Sequence, residues 1–330
     1  MHMQALETKN SLIRITRNSG IPLVGTVFIG ILDRGTNMIQ VRATTVCNLL
    51  CQFCSTAANS FNIHPYNYEV DLDYLLDWVK ATVDFKEENT LINIDSVGEP
   101  TAYPYLIELV KKIKELENVS FISMQTNGTL LNKQKIKALE KAGLSQLNLS
   151  LDTLNKEKWK YLRQGNFDIE NITDLARYIS ETDIKLLLAP VYLPNVNDKD
   201  IEDVIQLSKE LKSLIGIQKY EIYKYSRKLK EAKAQNWYKF YNQLRLWEKK
   251  FNISLKIDKS YVKPSKSLPI KFKIGEKIHA EIKMPGWISN QAVAVAKNRC
   301  ITINNCNKDS GLVKAKIVEN KNNIYLAELF

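Results

Sequence analysis

Long apolar segments and export signals are both missing from this 330-residue sequence. The longest apolar run, residues 21–32, is interrupted by Gly25 and Gly30, and it is far shorter than the roughly 20 apolar residues that span a bilayer. The chain does not open on a basic segment followed by an apolar one, as a secretory leader would. We therefore expect a cytoplasmic protein without a membrane partner.

Cysteine is scarce and unevenly distributed. The chain has five cysteines, an odd number, and three of them lie within residues 47–54. This is not a disulfide framework, and it indicates a reducing compartment and a metal. The composition, with 45% apolar and 25% charged residues, is that of a globular protein and excludes a disordered or fibrous chain.

Acidic residues are sparse in the last third of the chain. Residues 226–330 contain 22 Lys+Arg and 8 Asp+Glu, a net charge of +14. The remainder, residues 1–225, has 25 basic and 28 acidic residues, a net charge of −3. A basic segment on a nearly neutral body favours a module that binds a polyanion, nucleic acid above all, over a basic surface that serves solubility.

Short apolar runs alternate with amphipathic segments over residues 38–225. Strands and helices that repeat every 30 residues or so are typical of βαβ units and a parallel sheet, and six units predict an open barrel. The predicted strands are 38–44, 90–96, 120–125, 146–151, 185–191 and 218–223. The predicted helices are 72–82, 105–116, 133–142, 172–180 and 201–214.

The rest of the chain changes pattern twice. Aromatic residues at helical spacing predict a basic amphipathic helix over residues 232–251. Period-two alternation after residue 270, broken by turn residues at 285–286 and 304–305, predicts a small antiparallel barrel of about five strands. Such an OB-like barrel is often used for nucleic acids. The predicted domains are an N-terminal extension (1–35), an α/β partial (β/α)6 barrel (36–225), a basic helical linker (226–268) and an OB-type β-barrel (269–330).

The strongest chemical signal is the C-x3-C-x2-C spacing of Cys47, Cys51 and Cys54. Three thiolates can bind three irons of a [4Fe–4S] cluster and leave the fourth iron open, and open metal positions are catalytic whereas closed sites are structural. The motif directly follows the first predicted strand, which places it at the mouth of the barrel where active sites lie. The alternative is a zinc knuckle completed by His64 or a distant cysteine.

At these residues the sequence resembles the radical S-adenosylmethionine (radical SAM) superfamily, whose signature also has an aromatic residue, here Phe53, before the last cysteine. The resemblance covers about residues 35–225 and implies two cofactors, a [4Fe–4S] cluster on the three cysteines and S-adenosylmethionine. In the family the fourth iron binds the amino and carboxylate groups of S-adenosylmethionine. The reduced cluster, served by an electron donor, then cleaves S-adenosylmethionine to methionine and a 5′-deoxyadenosyl radical.

Further motifs follow the predicted strands in the family's order. Residues 96–101 resemble the Gly-Gly-Glu segment that holds the methionine amino group, although Val97 replaces its first glycine. Polar strand ends resemble those that bind ribose and carboxylate, Arg163 resembles a carboxylate clamp, and Pro190 the adenine wall. The residues implied around the cofactor are Phe53, Gly98, Glu99, Pro100, Thr126, Asn127, Ser150, Asp152, Arg163 and Pro190. Only Cys300 and Cys306 remain, too few for an auxiliary cluster, and we expect both to be buried.

Residues 275–329 resemble the TRAM domain, a small RNA-binding barrel, although the usual glycine-rich stretch is replaced by residues 287–291. The whole chain also resembles an archaeal-type group that pairs the two domains. Such barrels bind RNA through basic grooves and exposed aromatic rings. The candidate RNA contacts are Lys283, Trp287, Lys297, Arg299, Lys314 and Lys316.

These patterns together predict a radical SAM enzyme that modifies a nucleotide in structured RNA, with tRNA as the favoured substrate. One alternative is an activase or modifier of a protein partner, and another is a non-enzymatic, metal-containing RNA-binding protein. The basic last third favours RNA over a protein, and Glu99, Asn127 and Ser150 favour catalysis over binding alone. We expect RNA affinity to belong to residues 226–330 and radical chemistry to the rest.

Overall fold

The computed structural model describes residues 11–165, 167–256 and 260–330. The strands are β1 (Ser11–Ile15), β2 (Gly30–Asp33), β3 (Met38–Arg42), β4 (Tyr66–Val70), β5 (Thr90–Ile94), β6 (Val119–Thr126), β7 (Gln146–Leu149), β8 (Lys185–Leu188), β9 (Val191–Tyr192), β10 (Leu214–Ile215), β11 (Gln218–Lys219), β12 (Lys277–Pro285), β13 (Gln291–Ala296), β14 (Arg299–Asn304), β15 (Gly311–Glu319) and β16 (Leu326–Leu329). The helices are α1 (Leu72–Lys86), α2 (Leu106–Lys114), α3 (Lys133–Ala142), α4 (Lys156–Arg163), α5 (Ile169–Ser180), α6 (Asp198–Glu210) and α7 (Trp237–Phe251).

A seven-stranded sheet in the order β10-β8-β7-β6-β5-β3-β2 forms the centre of the chain. Its first six strands are parallel, and only β2 runs antiparallel, beside β3. Helices α1 to α6 lie between successive parallel strands in the sequence. The predicted α/β fold is confirmed.

Local sequence signals set the ends of the helices. Asp71 caps α1 by accepting a hydrogen bond from the amide of Tyr74, and Asn132 caps α3 in the same way. Gly143 caps the C-terminus of α3, and its φ of 96° is one that glycine adopts without strain. The aromatic helix predicted from residue 232 begins instead at Trp237, because Asn236 caps it there.

The last predicted strand, 218–223, forms only at residues 218–219, and it is not the sixth strand of the sheet. The sixth parallel strand is β10, of two residues, which pairs with β8. The chain then leaves the sheet, and β11 pairs with β9 outside it. Helix α4 and strands β1, β2 and β4 also lay outside the predicted elements.

The predicted N-terminal extension contributes to both the sheet and its core. Strand β2 forms one edge of the sheet, and β1 pairs with β4. Leu23, Phe28 and Ile31 are buried in the main hydrophobic core. Residues 1–10 lie outside the described residues.

The C-terminal strands form a closed barrel in the order β12-β13-β14-β16-β15, with β15 returning to β12. Strands β14 and β16 are parallel, and the other pairs are antiparallel. Ile278, Ala280 and Ile282 fill the interior and alternate with exposed residues. Cys300 and Cys306 are buried, as predicted.

The barrel has an interior cluster of its own, and a few of its residues also pack into the core of the sheet. Met284, Trp287 and Val293 of the barrel region pack in the same cluster as the sheet residues. The hydroxyl of Tyr68 donates to the carbonyl oxygens of Pro285, at 2.8 Å, and Gly286, at 3.0 Å. In the described part of the chain, no helix has the length and apolar character needed to cross a bilayer.

Candidate active site

The cysteine loop lies beyond the carboxyl end of β3 and is tied to two other parts of the sheet domain. The hydroxyl of Thr56 donates to the carbonyl of Val97, after β5, at 2.8 Å. The amide of Gln52 donates to the carbonyl of Leu162, at the end of α4, at 2.9 Å. The loop is therefore fixed relative to the neighbouring strand ends before any metal is considered.

Arg227, which the sequence analysis missed, holds the same loop from the linker. Its backbone amide donates to the carbonyl of Cys54 at 3.0 Å, and Nη1 donates to the carbonyl of Cys51 at 2.8 Å. Its side chain also donates to the carbonyl of Ala58 and, at 3.2 Å, to the hydroxyl of Ser60. No sequence motif marks this contact, since Arg227 is far from the loop in the sequence.

Cys47, Cys51 and Cys54 all line one cavity of about 570 Å³, which we call the cofactor cavity. Burial raises the pKa of the Cys47 thiol to about 12, and it raises the pKa of Cys51 against the opposing charge of Arg163. Without a metal, Cys47 and Cys51 therefore keep their protons, and coordination to a metal removes them.

Three thiolates on one loop can serve a cluster without meeting at a single point. Within the described residues, no three His, Cys, Asp or Glu side chains are grouped closely enough to hold one metal ion. A cubane binds each thiolate on a different iron, so its ligands need not converge on one point.

His64, the proposed fourth ligand of the zinc alternative, is otherwise engaged. Nε2 lies 2.7 Å from the carbonyl oxygen of Thr56, and Nδ1 lies 3.0 Å from that of Trp287. The imidazole ring also stacks on the indole of Trp287, with centroids 3.9 Å apart. Neither nitrogen faces the cysteines as a metal ligand.

Glu99 organises the ends of β5 and β6. Oε1 accepts hydrogen bonds from the hydroxyls of Thr101, at 2.6 Å, and Thr126, at 2.7 Å, and from the amide of Thr101. Oε2 accepts one from the amide of Asn127 at 2.8 Å. Because Oε2 has a single donor, it retains the capacity to accept another from a cofactor ammonium group.

Gly98 permits the close approach of this segment to the cysteine loop. A Cβ at this position would lie 2.3 Å from the carbonyl oxygen of Thr45 and 2.4 Å from that of Val46. The amide of Glu99 donates to the carbonyl of Val46 at 2.8 Å. A side chain at residue 98 would therefore separate the two segments.

Arg163 and Asp152 form a buried pair beside the cysteines. The Arg163 guanidinium pairs with Asp152, donates to the Cys51 sulfur at 3.6 Å, and lies 5.2 Å from the ring of Phe53. Asp152 is fully buried and also accepts the amide of Val191 at 2.8 Å. Arg163, which was predicted to bind the carboxylate of the cofactor, is thus already paired with a carboxylate of this chain.

The structure brings most of the predicted cofactor residues to the cofactor cavity. Those that line it are Phe53, Gly98, Glu99, Pro100, Thr126, Asn127, Ser150 and Arg163. Asp152 and Pro190 do not. Asp152 lies behind Arg163, and the wall near Pro190 is formed by Val191.

Two of the residues predicted to contact RNA are buried. Trp287 is 7% exposed, because it packs between the barrel and the sheet, and it lines the cofactor cavity. Arg299 is buried, with its guanidinium donating to the carbonyl of Asn298. Lys283, Lys297, Lys314 and Lys316 are exposed, although Lys297 forms an ion pair with Glu276 at 2.7 Å.

Other residues on the cavity wall lacked a recognisable motif. Arg42 and Asp95 form an ion pair of 2.9 Å there, and Gln125 and Lys219 line its inner end. Arg42 and Asp95 end or follow adjacent parallel strands, a placement that could have indicated them.

The chain belongs to the radical SAM superfamily, because the model of the "Radical SAM superfamily" matches residues 41–208. It is therefore an enzyme, and its cofactors are a [4Fe–4S] cluster and S-adenosylmethionine. The three thiols of the cofactor cavity are suited to hold the cluster. The bound cluster supplies the electron that cleaves S-adenosylmethionine.

The chain is also similar to particular proteins and to solved structures. The chain is 37% identical, over 98% of its length and 81% of the relative, to an uncharacterized protein of Methanocaldococcus jannaschii. It is 31% identical to the GTP 3′,8-cyclase of Alkaliphilus oremlandii over 54% of each chain. Among solved structures it is similar to SuiB of Streptococcus suis, with a TM-score of 0.50 and 19% identity over 70% of this chain and 47% of that one. The chain thus spans about half the length of the cyclase and of SuiB.

Proposed function

We propose that this radical SAM enzyme modifies a nucleotide of structured RNA, with tRNA as the favoured substrate. The observation that carries the proposal is a basic surface on the C-terminal barrel, the β12–β15 face. It consists of the exposed side chains Lys277, His279, Lys283, Lys314 and Lys316.

Two lysines stand directly opposite each other on this face. The register pairs Lys277 with Lys316, which is also paired with Glu328 of β16, and it places His279 opposite Lys314. Like charges in such cross-strand positions are destabilising, and among the described residues only Lys283 of these lysines has an ion-pair partner, Glu281 at 2.8 Å. The arrangement is suited to neutralising a phosphate backbone.

Apolar groups beside the lysines suit single-stranded bases. Leu312 is 78% exposed and Phe330 is 57% exposed, and Lys277 lies 4.9 Å over the ring of Phe330. Exposed rings among cations are typical of surfaces on which bases stack. The small closed barrel, which we interpret as OB-like, supports the same use.

The β12–β15 face is connected to the cofactor cavity through the backbone. Strand β12 ends at Pro285, and the chain continues directly to Trp287 in the cavity wall. An RNA bound on this face would thus be held by the strand that leads directly to Trp287 in the wall of the cofactor cavity. The cyclase relatives act, by their name, on GTP, which also favours a nucleotide substrate. We further propose a one-electron donor protein as a partner.

Binding to RNA tests this proposal. We expect the triple variant Lys277→Gln, Lys314→Gln, Lys316→Gln to bind tRNA transcripts more weakly and to lower the log–log salt slope by roughly 2–3, about one unit for each phosphate that is no longer neutralised. The matched control replaces Lys111, Lys114 and Lys137, exposed lysines of α2 and α3, and should bind as the unchanged protein does. Equal binding by the two variants, or a flat salt dependence, would favour the protein-modifying alternative.

A further inference from the structure

A second cavity, of about 900 Å³, lies between the sheet and α7. It shares Gln125, Gln218 and Lys219 with the cofactor cavity, so the two cavities are contiguous. We call it the amide cavity, after the side chains of its sheet wall. These are Gln40, Asn93, Ser123, Gln125, Gln146 and Asn148.

The sheet wall carries its polar residues in register across four neighbouring strands. Gln40 of β3 is paired with Asn93 of β5, Asn93 with Ser123 of β6, and Ser123 with Gln146 of β7. The covered face of a parallel sheet is normally apolar, and burial of an amide without a partner is unfavourable. A continuous polar row at this place therefore indicates a ligand rather than a packing surface.

The amides are only partly satisfied by one another. Asn93 accepts a hydrogen bond from Ser123 at 2.9 Å, and Asn148 accepts one from Gln146 at 2.7 Å. Within the described residues, the Nδ2 groups of Asn93 and Asn148 and the Oε1 of Gln146 have no hydrogen-bond partner. None of these three atoms is fully enclosed, so each is open to the cavity. Gln125, at the junction of the two cavities, makes no side-chain hydrogen bond in the same part of the chain. Uncharged donors and acceptors thus face the amide cavity.

The opposite wall is aromatic. Trp237, Phe240 and Tyr241 of α7 line it, and the rings of Trp237 and Tyr241 stack with centroids 5.7 Å apart. Trp237 is 54% exposed and Tyr241 44% exposed. Partly open rings that face a polar wall suit a flat ligand that stacks on one side.

The charged side chains that line the amide cavity are positive in the described part of the chain, although Lys219 is paired with Glu221 at 3.0 Å. Arg34, Lys219 and Lys256 line it, and no Asp or Glu does so among the described residues. The ammonium group of Lys219 lies 5.1 Å from the centroid of the Trp237 ring. This lining disfavours a cationic ligand and provides a place for a phosphate.

We propose that the amide cavity binds the nucleobase of the substrate, with the base packed against the aromatic wall of α7 and its edge hydrogen-bonded by the amides of the sheet. Asn and Gln side chains read base edges, and enzymes that act on bases hold an unstacked base in such a pocket. The volume is in the range of small-molecule sites, and the shared wall places the base beside the cofactor cavity. The inference rests on the proposed nucleotide substrate. The base could come from RNA or from a free nucleotide.

Equilibrium dialysis tests the assignment on the full chain with its cluster, under anaerobic conditions. The probes are AMP, GMP, CMP and UMP, with ribose 5-phosphate as the reference. Trp237→Ala should weaken binding of all four nucleotides by roughly 5- to 100-fold, because stacking does not depend strongly on the base. The double variant Gln125→Leu, Asn148→Leu should instead reduce the differences among the four. Tyr238→Ala, on the same helix but 71% exposed and outside the cavity, is the matched control and should change nothing.

A measurement on the unchanged protein keeps the test independent of how the variants fold. Nucleotides, but not ribose 5-phosphate, should slow amide hydrogen exchange in the part of α7 around Trp237 and so protect it, as read by peptide mass spectrometry. The proposal is overturned if no nucleotide binds better than ribose 5-phosphate and none protects Trp237.

Failure of this inference differs from failure of the proposed function. If mononucleotides bind but tRNA transcripts do not compete, the amide cavity takes a free nucleotide and the RNA substrate is wrong. If RNA is bound and modified equally well by the unchanged protein, by Trp237→Ala and by the double variant, the RNA substrate stands and the cavity assignment is wrong.

Discussion

Single residues outside the cysteine motif hold the cluster loop in place. Arg227 donates to backbone or hydroxyl oxygens of four loop residues. We expect Arg227→Met to lose iron several-fold faster to a chelator, because hydrogen bonds from a charged group contribute about 1.5–3 kcal/mol. Arg227→Lys should be intermediate, since one ammonium cannot reproduce a forked guanidinium.

The decay of cluster absorbance in the presence of chelator measures this effect. Lys230→Met, an exposed neighbour on the same segment, is the matched control. Equal rates for Arg227→Met and the unchanged protein would show that the loop keeps its shape without the arginine.

The carboxylate of Glu99 connects the ends of β5 and β6 by accepting hydrogen bonds from Thr126 and Asn127. In Glu99→Gln, one acceptor oxygen becomes an NH2 group that faces hydrogen-bond donors. We expect the affinity for S-adenosylmethionine to fall roughly 10- to 100-fold, as for loss of hydrogen bonds to a charged group, while the iron content stays unchanged. Equilibrium dialysis with labelled cofactor measures the affinity, and Glu88→Gln, an exposed acidic residue, serves as control. Unaltered affinity in Glu99→Gln would remove Glu99 from the cofactor site.

The site residues that could be predicted from the sequence are those that lie in contiguous motifs. Cys47, Cys51, Cys54 and Glu99 stand at fixed spacings after predicted strands, and the structure brings them to one cavity. Arg227 and Trp287 reach that cavity or its loop only through tertiary packing, which leaves no local pattern. The sequence also could not show that Asp152 pairs with Arg163 instead of lining the cavity. Whether a carboxylate contacts a cofactor or a neighbouring arginine depends on side-chain geometry.

At the scale of elements, one buried ion pair joins α1, β2 and the segment before the barrel. Lys86, the last residue of α1, pairs with Asp33 of β2 at 3.0 Å, and both side chains are fully buried. Lys86 also donates to the carbonyl of Lys266 at 2.9 Å, and Asp33 accepts the amide of Leu268 at 2.7 Å. The pair therefore fixes the path of the chain into β12.

Removing the lysine should leave a buried, uncompensated carboxylate. We expect Lys86→Met to lower the free energy of unfolding by about 3–5 kcal/mol, as measured by urea denaturation followed by circular dichroism. Lys80→Met breaks an exposed pair with Asp84 on the same helix and should change it by less than about 1 kcal/mol. A loss below that level for Lys86→Met would mean that water or a rearranged partner compensates Asp33.

Element boundaries followed the sequence where caps and apolar periodicity were strong. Helix α3 begins and ends as predicted, with Asn132 and Gly143 at its ends. The sixth strand was predicted at the wrong residues, because the strand that joins the sheet there, β10, is only two residues long. Apolar residues continue in the sequence after β10, so they did not mark where the sheet ends. Pairing partners, rather than local propensity, decided that boundary.

At the scale of the whole molecule, the predicted radical domain and the predicted RNA module pack against each other, although the barrel also has an interior cluster of its own. Trp287 and Cys300 pack with the sheet residues, and Gly25 approaches Cys300 so closely that a Cβ would lie 2.0 Å from its carbonyl oxygen. A chain that stops at Ser265 would expose this surface. We expect such a chain to lose its cluster or to aggregate, and the full chain to unfold in one calorimetric transition.

Two resolved transitions, or a soluble truncated chain that keeps its iron, would show instead that the two parts fold independently. The charge variants of the β12–β15 face are therefore the appropriate test of RNA affinity, because they leave the packing between the barrel and the sheet intact.

The central claim is that the radical formed at the cysteine loop is used on RNA. The most direct measurement is anaerobic incubation of the full chain with S-adenosylmethionine, a reductant and RNA from a strain that lacks the gene, followed by mass spectrometry of nucleosides. The account predicts a new nucleoside mass and 5′-deoxyadenosine, both absent with the triple variant Cys47→Ala, Cys51→Ala, Cys54→Ala. Formation of 5′-deoxyadenosine with no change in any RNA nucleoside would contradict it.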